Sequence, residues 1–181
     1  MKKMIAMLLA VTMMCSFAAC GGKTAEPTTA PTEATVKVEG TMEELLNKVV
    51  EIKPVEFMGG TMPIDLTDTS EDGLWNIKYN TGLDSAEGLT DAAVFGPMMG
   101  SIAFSMVMVR TAEGTDVKAV AEGMKNGIDP RKWICVEADD VQVVSFGDVV
   151  MLIMVDSTSG LTSQSFVDAF AQVCGGSVTT Y

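Results

Sequence analysis

The stretch VQVVSFGDVVMLIMV, residues 141–155, decides the fold that we predict for this chain. Residues 149–155 are all apolar, which is typical of a strand buried on both faces of its sheet. Residues 141–146 are rich in valine and predict a second strand, and Gly147-Asp148 between them predicts a two-residue hairpin turn. The stretch therefore predicts an antiparallel hairpin with one central strand.

A second pair of strands is predicted earlier in the chain. Residues 91–95 indicate one strand, and residues 102–109 indicate another that is apolar on both faces and therefore central. The glycines and the proline of residues 96–100 predict the loop between them. The order strand, strand, helix then occurs twice, although the two halves share no matching residues.

Helices are indicated by caps and by apolar side chains at helical spacing. Residues 41–44 form a capping box that begins an N-terminal helix, and a short helical turn is predicted at residues 74–79. Gly114 or Thr115 caps a later helix, and the last helix ends near Gly175. We therefore expect an α+β domain: an antiparallel sheet of about four strands with helices packed on one face, preceded by an N-terminal helix.

The first 21 residues resemble a bacterial lipoprotein signal. Lys2 and Lys3 precede an apolar run at residues 4–14, which is shorter than the ~20 residues of a spanning helix. The small residues before Cys20 resemble the lipobox of lipoprotein signal peptidase, which implies removal of residues 1–19 and lipidation of Cys20. The alternative is an ordinary secretory signal that leaves Cys20 as a free thiol.

The rest of the chain divides into three parts. Residues 20–40 are rich in Thr, Ala, Pro and Glu and predict a lipid-anchored, disordered stalk. Residues 41–176 are long enough to form a single α+β domain with one core. Residues 177–181 predict a loose C-terminal tail. Together these features place the protein at the cell membrane, anchored by lipid on the extracytoplasmic face.

The net charge of the chain restricts the classes of partner that it can bind. Loss of Lys2 and Lys3 with the signal would leave ten basic against 24 acidic residues, a formal charge of −14. Nucleic acid is disfavoured, because its binding depends on cations that neutralise phosphate. Anionic lipid would repel the domain, so the acyl chains on Cys20 must anchor it. The partners that we expect are membrane lipid, through Cys20, and an envelope or membrane protein.

Two segments suggest a family. Residues 117–124 (VKAVAEGM) and the hairpin of residues 141–155, within the stretch of residues 92–173, resemble an uncharacterised lipoprotein family of Gram-positive, mostly anaerobic bacteria. That family has the same order of lipobox, Thr/Pro stalk and α+β domain. The resemblance implies an extracytoplasmic domain of unknown function and brings no assigned catalytic residues.

The sequence excludes several kinds of catalysis. The chain contains no histidine, which removes Ser-His-Asp and Cys-His nucleophiles and imidazole metal ligands. The carboxylate pairs Glu71-Asp72 and Asp139-Asp140 could serve a glycosidase-like reaction, but we interpret them as turn carboxylates. We therefore predict a protein that is not an enzyme and carries no cofactor.

One acidic stretch is a candidate cation site. Residues 68–73 match the beginning of a calcium-binding EF-hand loop, but Tyr79 stands where that loop has its bidentate glutamate. Asp65, Asp68 and Asp72 could still hold a cation loosely, although a plain Asp/Ser/Gly turn explains the same residues.

Aromatic and sulfur-containing side chains offer further candidates. Trp75 and Tyr79 lie four residues apart, so they could form a ligand-binding platform or a core anchor. Ten methionines follow Cys20, and soft thioethers favour Cu(I), but several lie in predicted core strands, so we interpret them as core filler. Cys135 and Cys174 could form a disulfide, or Cys174 could be a free buried thiol.

Two functions remain open at this point. The first is a non-catalytic binding or assembly module that docks an envelope partner. The second is a small-ligand or cation receptor that works with a membrane transporter. An exposed apolar patch would favour the first, and a closed pocket with converging polar groups would favour the second.

Overall fold

The computed structural model describes residues 36–181. The predictions for residues 1–19, for Cys20 and for most of the stalk lie outside the described residues. The helices are α1 (Met42–Ile52), α2 (Glu71–Thr81), α3 (Val117–Gly127) and α4 (Ser163–Cys174), with a 3-10 turn at Ser157–Ser159. The strands are β1 (Gly59–Pro63), β2 (Leu89–Pro97), β3 (Phe104–Thr111), β4 (Asp140–Phe146), β5 (Val149–Val155) and β6 (Thr179–Thr180). Of the helices in this range, none has the length and apolar character that a membrane crossing needs.

The strands form one sheet in the order β1-β2-β3-β5-β4-β6, and all neighbours are antiparallel. The prediction of an α+β fold with an antiparallel sheet is thereby confirmed. The four predicted strands are β2, β3, β4 and β5, and they form the centre of the sheet. The short edge strands β1 and β6 raise the total to six and were not predicted.

Strand β5 is the centre of the molecule. All seven of its residues are buried, and it pairs with β3 on one side and β4 on the other. The hairpin turn at Gly147-Asp148 has the geometry that the sequence indicates, with Gly147 at a φ of +57°, where a Cβ is disfavoured. An uninterrupted apolar strand therefore becomes the strand with packing on both faces, as its composition predicts.

Helices cover both faces of the sheet, so the prediction of helices on one face is wrong. Alternate residues of the central strands face two separate cores. The first core is closed by α1 and α4, with Leu46 and Phe166 among its fully buried side chains. The second is closed by α2 and α3, through residues such as Ile77 and Met124.

The directions of the strands explain why the helices lie on both faces of the sheet. The chain passes from β3 through α3 to β4, and from β5 through α4 to β6, each time to a parallel strand with one strand skipped. Both crossovers move the same way along the sheet, but β3 and β5 are antiparallel. Crossovers are almost always right-handed, and two crossovers of one hand that start from opposite strand directions place their helices on opposite faces.

The C-terminal residues are ordered, which corrects the prediction of a loose tail. Strand β6 pairs with β4 through Val144 and Thr180. The backbone N–H of Tyr181 donates to the carbonyl of Val143 at 3.0 Å, and the Tyr181 hydroxyl lies 2.9 Å from Ser145 Oγ. The last residues therefore extend the sheet and pack against its second core.

Residues 36–40, which we call the strap, bind one end of the sheet. The carbonyl of Val36 accepts from Asp148 N at 2.9 Å, and Val38 N donates to Asp148 Oδ1 at 2.9 Å. Arg110 donates to Asp148 Oδ2 and to the carbonyl of Gly40, both at 2.6 Å. The folded domain therefore includes the strap, and the predicted boundary at residue 41 is a few residues too late.

The strap defines two ends of the sheet. The strap end contains Arg110 at the end of β3 and Asp148 in the β4–β5 turn. The open end, opposite to it, contains the β2–β3 turn after Pro97 and the beginning of β4 at Asp140. Helix α3 runs from the strap end to the open end, because it follows β3 and returns the chain to the start of β4.

Candidate functional site

Helix α2 presents an aromatic pair to solvent. The helix begins at Ser70, whose side chain accepts from Gly73 N, and ends at Gly82 in the left-handed conformation. Trp75 and Tyr79 are one turn apart and their rings stack, with centroids 4.8 Å apart and planes inclined by 22°. Trp75 is 63% exposed, so it is not the core anchor that was the alternative interpretation.

A largely buried lysine supports this pair from beneath. Lys132 Nζ donates to the carbonyl of Tyr79 at 3.2 Å and to Ser105 Oγ at 3.1 Å. It also lies 4.8 Å from the ring centroid of Tyr79 and 5.3 Å from that of Trp133, within the range of cation–π attraction. Burial lowers the pKa of Lys132 to about 8, an effect that the nearby carboxylate of Asp129 partly opposes.

The loop between α3 and β4 brings this lysine into place. Within this loop, the carboxylate of Asp129 accepts from Arg131 N at 2.8 Å, and the carbonyl of Pro130 accepts from Ala138 N at 2.9 Å. Arg131 Nε donates to Glu137 at 2.5 Å across the loop. These bonds fold the loop back on itself, so that Lys132 points inward, whereas Arg131 is exposed and Trp133 packs against the second core.

Two adjoining concavities lie beside the aromatic pair and together form what we call the aromatic cleft. The first has a volume of about 370 Å³ and the second about 400 Å³, and Arg131 lines both. The lining residues are Trp75, Lys78, Tyr79, Gly127, Asp129, Arg131 and Lys132 in the first, and Arg131, Trp133, Cys135, Val136 and Glu137 in the second. Both are open to solvent rather than enclosed.

The cleft lies at the open end of the sheet. Ser105, which accepts from Lys132, is the second residue of β3, and Gly127 is the last residue of α3. Both positions are remote from Asp148 and the strap. Sequence reasoning found Trp75 and Tyr79 but missed Lys132, whose contact with Tyr79 joins residues 53 positions apart. The sequence feature that could have indicated Lys132 is the run Arg131-Lys132-Trp133, where two basic residues adjoin a tryptophan.

The structure does not assemble the predicted cation site. Asp65 accepts from the backbone and hydroxyl of Thr67, and Asp68 accepts from Ser70 N, so each carboxylate serves its own turn. These hydrogen bonds lower the pKa of both carboxyl groups. Asp72 lies in the first turn of α2. Within residues 36–181 no three acidic, cysteine or histidine side chains are grouped so that they could hold a metal ion.

The second carboxylate pair is structural as well. Asp139 accepts from the backbone and hydroxyl of Ser157, and Asp140 accepts from the backbone and hydroxyl of Ser163 at the start of α4. The bonds from Ser157 lower the pKa of Asp139. Both carboxylates therefore fix the beginning of helical segments, in agreement with their interpretation as turn residues.

The two cysteines of the domain are free thiols in the structure, which agrees with the alternative of a free Cys174 rather than with a disulfide to Cys135. Cys135 is exposed in the α3–β4 loop, at a φ of +67°. Cys174 is half-buried at the end of α4, where burial and the carboxylate of Asp148 raise its pKa to about 11. The first thiol therefore belongs to the open end and the second to the strap end.

Comparisons of the chain with protein-family models, with curated proteins and with solved structures found no match. The resemblance to a lipoprotein family therefore stays a prediction.

Proposed function

We propose that this protein is a non-catalytic binding module, held at the extracytoplasmic face of the membrane through lipid on Cys20, that docks an envelope or membrane protein. The proposed docking surface is the aromatic cleft. The observation that carries this proposal is the exposed Trp75 ring, which stacks on Tyr79 above the partly buried ammonium group of Lys132.

Trp75 has the character of an interface anchor. Tryptophan, tyrosine and arginine are enriched among the residues that dominate binding energy, typically with polar neighbours around them. Trp75 supplies a large apolar ring at 63% exposure, and its stacking on Tyr79 fixes the ring before any partner arrives. The Arg131–Glu137 pair supplies an exposed polar rim. A fixed ring costs little conformational entropy on binding.

The position of the cleft suits an anchored protein. The chain that leads from Cys20 reaches the domain through the strap, which binds the strap end at Asp148. The aromatic cleft lies at the opposite end of the sheet. A protein tethered at one end and carrying its docking surface at the other can meet a partner that lies away from its own anchor.

The charges around the cleft are mixed. Lys78 and Arg131 pair with Asp84 and Glu137, and Asp129 also lines the cleft. An apolar centre with a rim of both charges fits a partner surface that carries apolar side chains surrounded by polar and charged groups.

Cross-linking on intact cells tests the proposal. The full-length lipoprotein and two variants, Trp75→Ala and Ile52→Ala, are cross-linked, purified and analysed by mass spectrometry. Ile52 is the matched control, because it is an exposed apolar residue (44%) on α1, the helix of the opposite face. We expect one stoichiometric partner with wild type and Ile52→Ala, reduced at least tenfold with Trp75→Ala. Equal recovery with all three proteins would contradict the proposal.

A receptor for a small ligand is the second candidate, and the volume of the cleft favours it. Concavities of about 370 and 400 Å³ fall within the ~300–1,000 Å³ typical of small-molecule sites. These concavities would suit a ligand with a flat ring that stacks on Trp75 and with polar groups that meet the Arg131–Glu137 pair. Thermal-shift screening of such compounds distinguishes the two candidates: a hit that Trp75→Ala abolishes, in the absence of any cross-linked partner, would favour the receptor.

A further inference from the structure

The methionines after Cys20 fall into two separate groups. Six are completely buried and act as core filler: Met42, Met106, Met108, Met124, Met151 and Met154. The other four are exposed: Met58 at 78%, Met98 at 72%, Met99 at 68% and Met62 at 56%. No methionine of this set lies between these extremes. Met58 immediately precedes β1, Met62 lies within β1, and Met98 and Met99 lie in the β2–β3 turn. Interpretation as core filler explains only the first group.

Three of the exposed methionines are neighbours in space. The antiparallel register pairs Gly59 with Pro97, and the Met98 N–H donates to the Met58 carbonyl at 2.9 Å, so residues 58 and 98 continue the same ladder. Side chains directly opposite each other in such a ladder have Cβ atoms about 4.5–5.5 Å apart on one face of the sheet. Met99 is the next residue in the turn.

Met62 lies farther away, within β1 itself. It is four residues from Met58, which places it about 13 Å along the strand at ~3.3 Å per residue. The three neighbours Met58, Met98 and Met99 therefore form one cluster, which we call the methionine corner, and Met62 lies outside it.

The part of the sheet beside the methionine corner carries no side chains, because two glycines lie there. Gly60 and Gly96 are directly opposite each other, one pair along from Gly59 and Pro97. A Cβ on Gly60 would meet no atom within 4 Å, and one on Gly96 would meet only a backbone oxygen at 3.9 Å. The thioethers of Met58 and Met98 consequently have room to turn toward each other over a surface without side chains.

We propose that Met58, Met98 and Met99 bind one soft monovalent cation, Cu(I), through their three thioether sulfur atoms. Thioethers select Cu(I) over the hard divalent ions that carboxylates prefer. Methionine is flexible and polarisable, so three sulfur atoms on adjacent backbone positions can converge on one ion. The acidic chain, at a formal charge of −14 after Cys20, further raises the local concentration of cations.

The site differs in kind from a thiolate site. A thioether carries no proton to lose, so its affinity for metal does not change with pH, whereas thiolate and imidazole sites weaken as the pH falls. Cys174, with its pKa raised to about 11, lies at the strap end, far from this corner. This proposal is independent of partner docking at the aromatic cleft.

The test uses the full chain with its four cysteines replaced by serine and its methionine methyl groups labelled with ¹³C. Ag(I) serves as a redox-stable substitute for Cu(I) in an NMR titration, and Cu(I) is then titrated against a competing chelator. We expect one equivalent of Ag(I) to shift the methyl signals of Met58, Met98 and Met99. The six buried methionines should not shift, and the Cu(I) affinity should be the same at pH 5.5 and pH 7.5.

Leucine variants separate metal binding from simple apolar character. The triple variant Met58→Leu, Met98→Leu, Met99→Leu keeps the size and apolarity of the corner but removes its sulfur atoms. We expect its Cu(I) affinity to fall by more than about 100-fold, because loss of outer-shell partners alone costs about 10–100-fold. Met62→Leu is the matched control and should stay within about twofold of the parent. All positions are exposed, and thermal unfolding verifies that the variants fold.

Three results would overturn the proposal. They are unshifted methyl signals at one equivalent of Ag(I), unchanged Cu(I) affinity in the triple leucine variant, and an equal loss of affinity in Met62→Leu. The last result would show that any exposed methionine of this sheet binds the metal and that no defined site exists.

Discussion

The two ends of the sheet are built in opposite ways. At the strap end, Arg110 and Asp148 form an ion pair with side chains only 17% and 10% exposed, and the strap covers it with backbone hydrogen bonds. At the open end, Trp75 is stacked but uncovered, and the loop that carries Lys132 holds Cys135 at a positive φ. Buried ion pairing therefore lies at the end of the sheet that the strap covers, and the exposed aromatic pair lies at the other end.

Among the variants that contrast the two ends of the sheet, those of Asp148 should have the largest effect on stability. Asp148→Asn leaves the mostly buried guanidinium of Arg110 without a counter-charge, and removal of one partner of such a pair costs about 3 kcal/mol. Urea unfolding of the full chain measures this. The control at the open end is Glu137→Gln, which breaks the exposed Arg131–Glu137 pair and should cost less than about 1 kcal/mol. An equal loss of unfolding free energy in the two variants would show that the two ends of the sheet contribute alike to stability, contrary to our account.

Lys132 should make stability rise with pH. The pKa of the folded form is about 8 and that of the unfolded form is 10.5, so between these values the unfolded chain binds more protons and the folded state gains. We expect wild type to gain on the order of 2 kcal/mol between pH 8 and pH 10.5, relative to Lys132→Met.

The measurement is urea unfolding at several pH values in this window, with Lys48→Met as an exposed-lysine control. Cys174 acts in the opposite direction: its raised pKa means that the folded state holds its proton between pH 9 and pH 11, so stability falls there. Because both proteins retain Cys174, its effect cancels in the difference. A flat difference between wild type and Lys132→Met would contradict the burial of Lys132.

The two thiols should differ in reactivity. Cys135 is exposed at the open end, whereas burial and a raised pKa suppress the thiolate of Cys174. We expect iodoacetamide at pH 8 to label Cys135 at least about tenfold faster, since the thiolate is the reactive form. Peptide mass spectrometry over time gives both rates in one sample. Cross-linking of the two cysteines to each other under mild oxidation would be inconsistent with their placement at opposite ends.

Replacement of Trp75 should have the smallest effect on folding. Trp75→Ala removes an exposed ring whose stacking on Tyr79 contributes about 1 kcal/mol. Phe166→Ala, in a fully buried position, should cost about 3–5 kcal/mol by the same denaturant assay. A loss of comparable size in the two variants would make Trp75 a structural residue and would remove the basis for a docking surface.

The central strands could be predicted because their chemistry is local. The bounds of β5 agree with the apolar run at residues 149–155, and the capping box at Thr41 and Glu44 forms as its letters indicate. Edge strand β1 escaped prediction because Gly59-Gly60 and Pro63 resemble a loop, and only pairing with β2 orders them. Strand β6 is two residues long and depends wholly on β4.

The parts that failed depend on contacts distant in sequence. The placement of helices on two faces follows from strand order, which no single segment encodes. The sequence predicted only one part of the aromatic cleft, the pair Trp75 and Tyr79, because these residues show helical spacing. The inward position of Lys132 depends on Tyr79 and Ser105, which lie 53 and 27 residues away. The exposed methionines were hidden because composition cannot separate them from the buried ones.

A photo-cross-linking map in intact cells tests the central claim most directly. A photoreactive residue is placed at open-end positions Trp75, Arg131 and Ile134, and at strap-end positions Val36 and Glu113, all of them exposed. Our account predicts adducts to one protein partner from the open-end positions, at least tenfold more abundant than from the strap end. Adducts formed mainly from Val36 and Glu113, or equally from both ends, would contradict it.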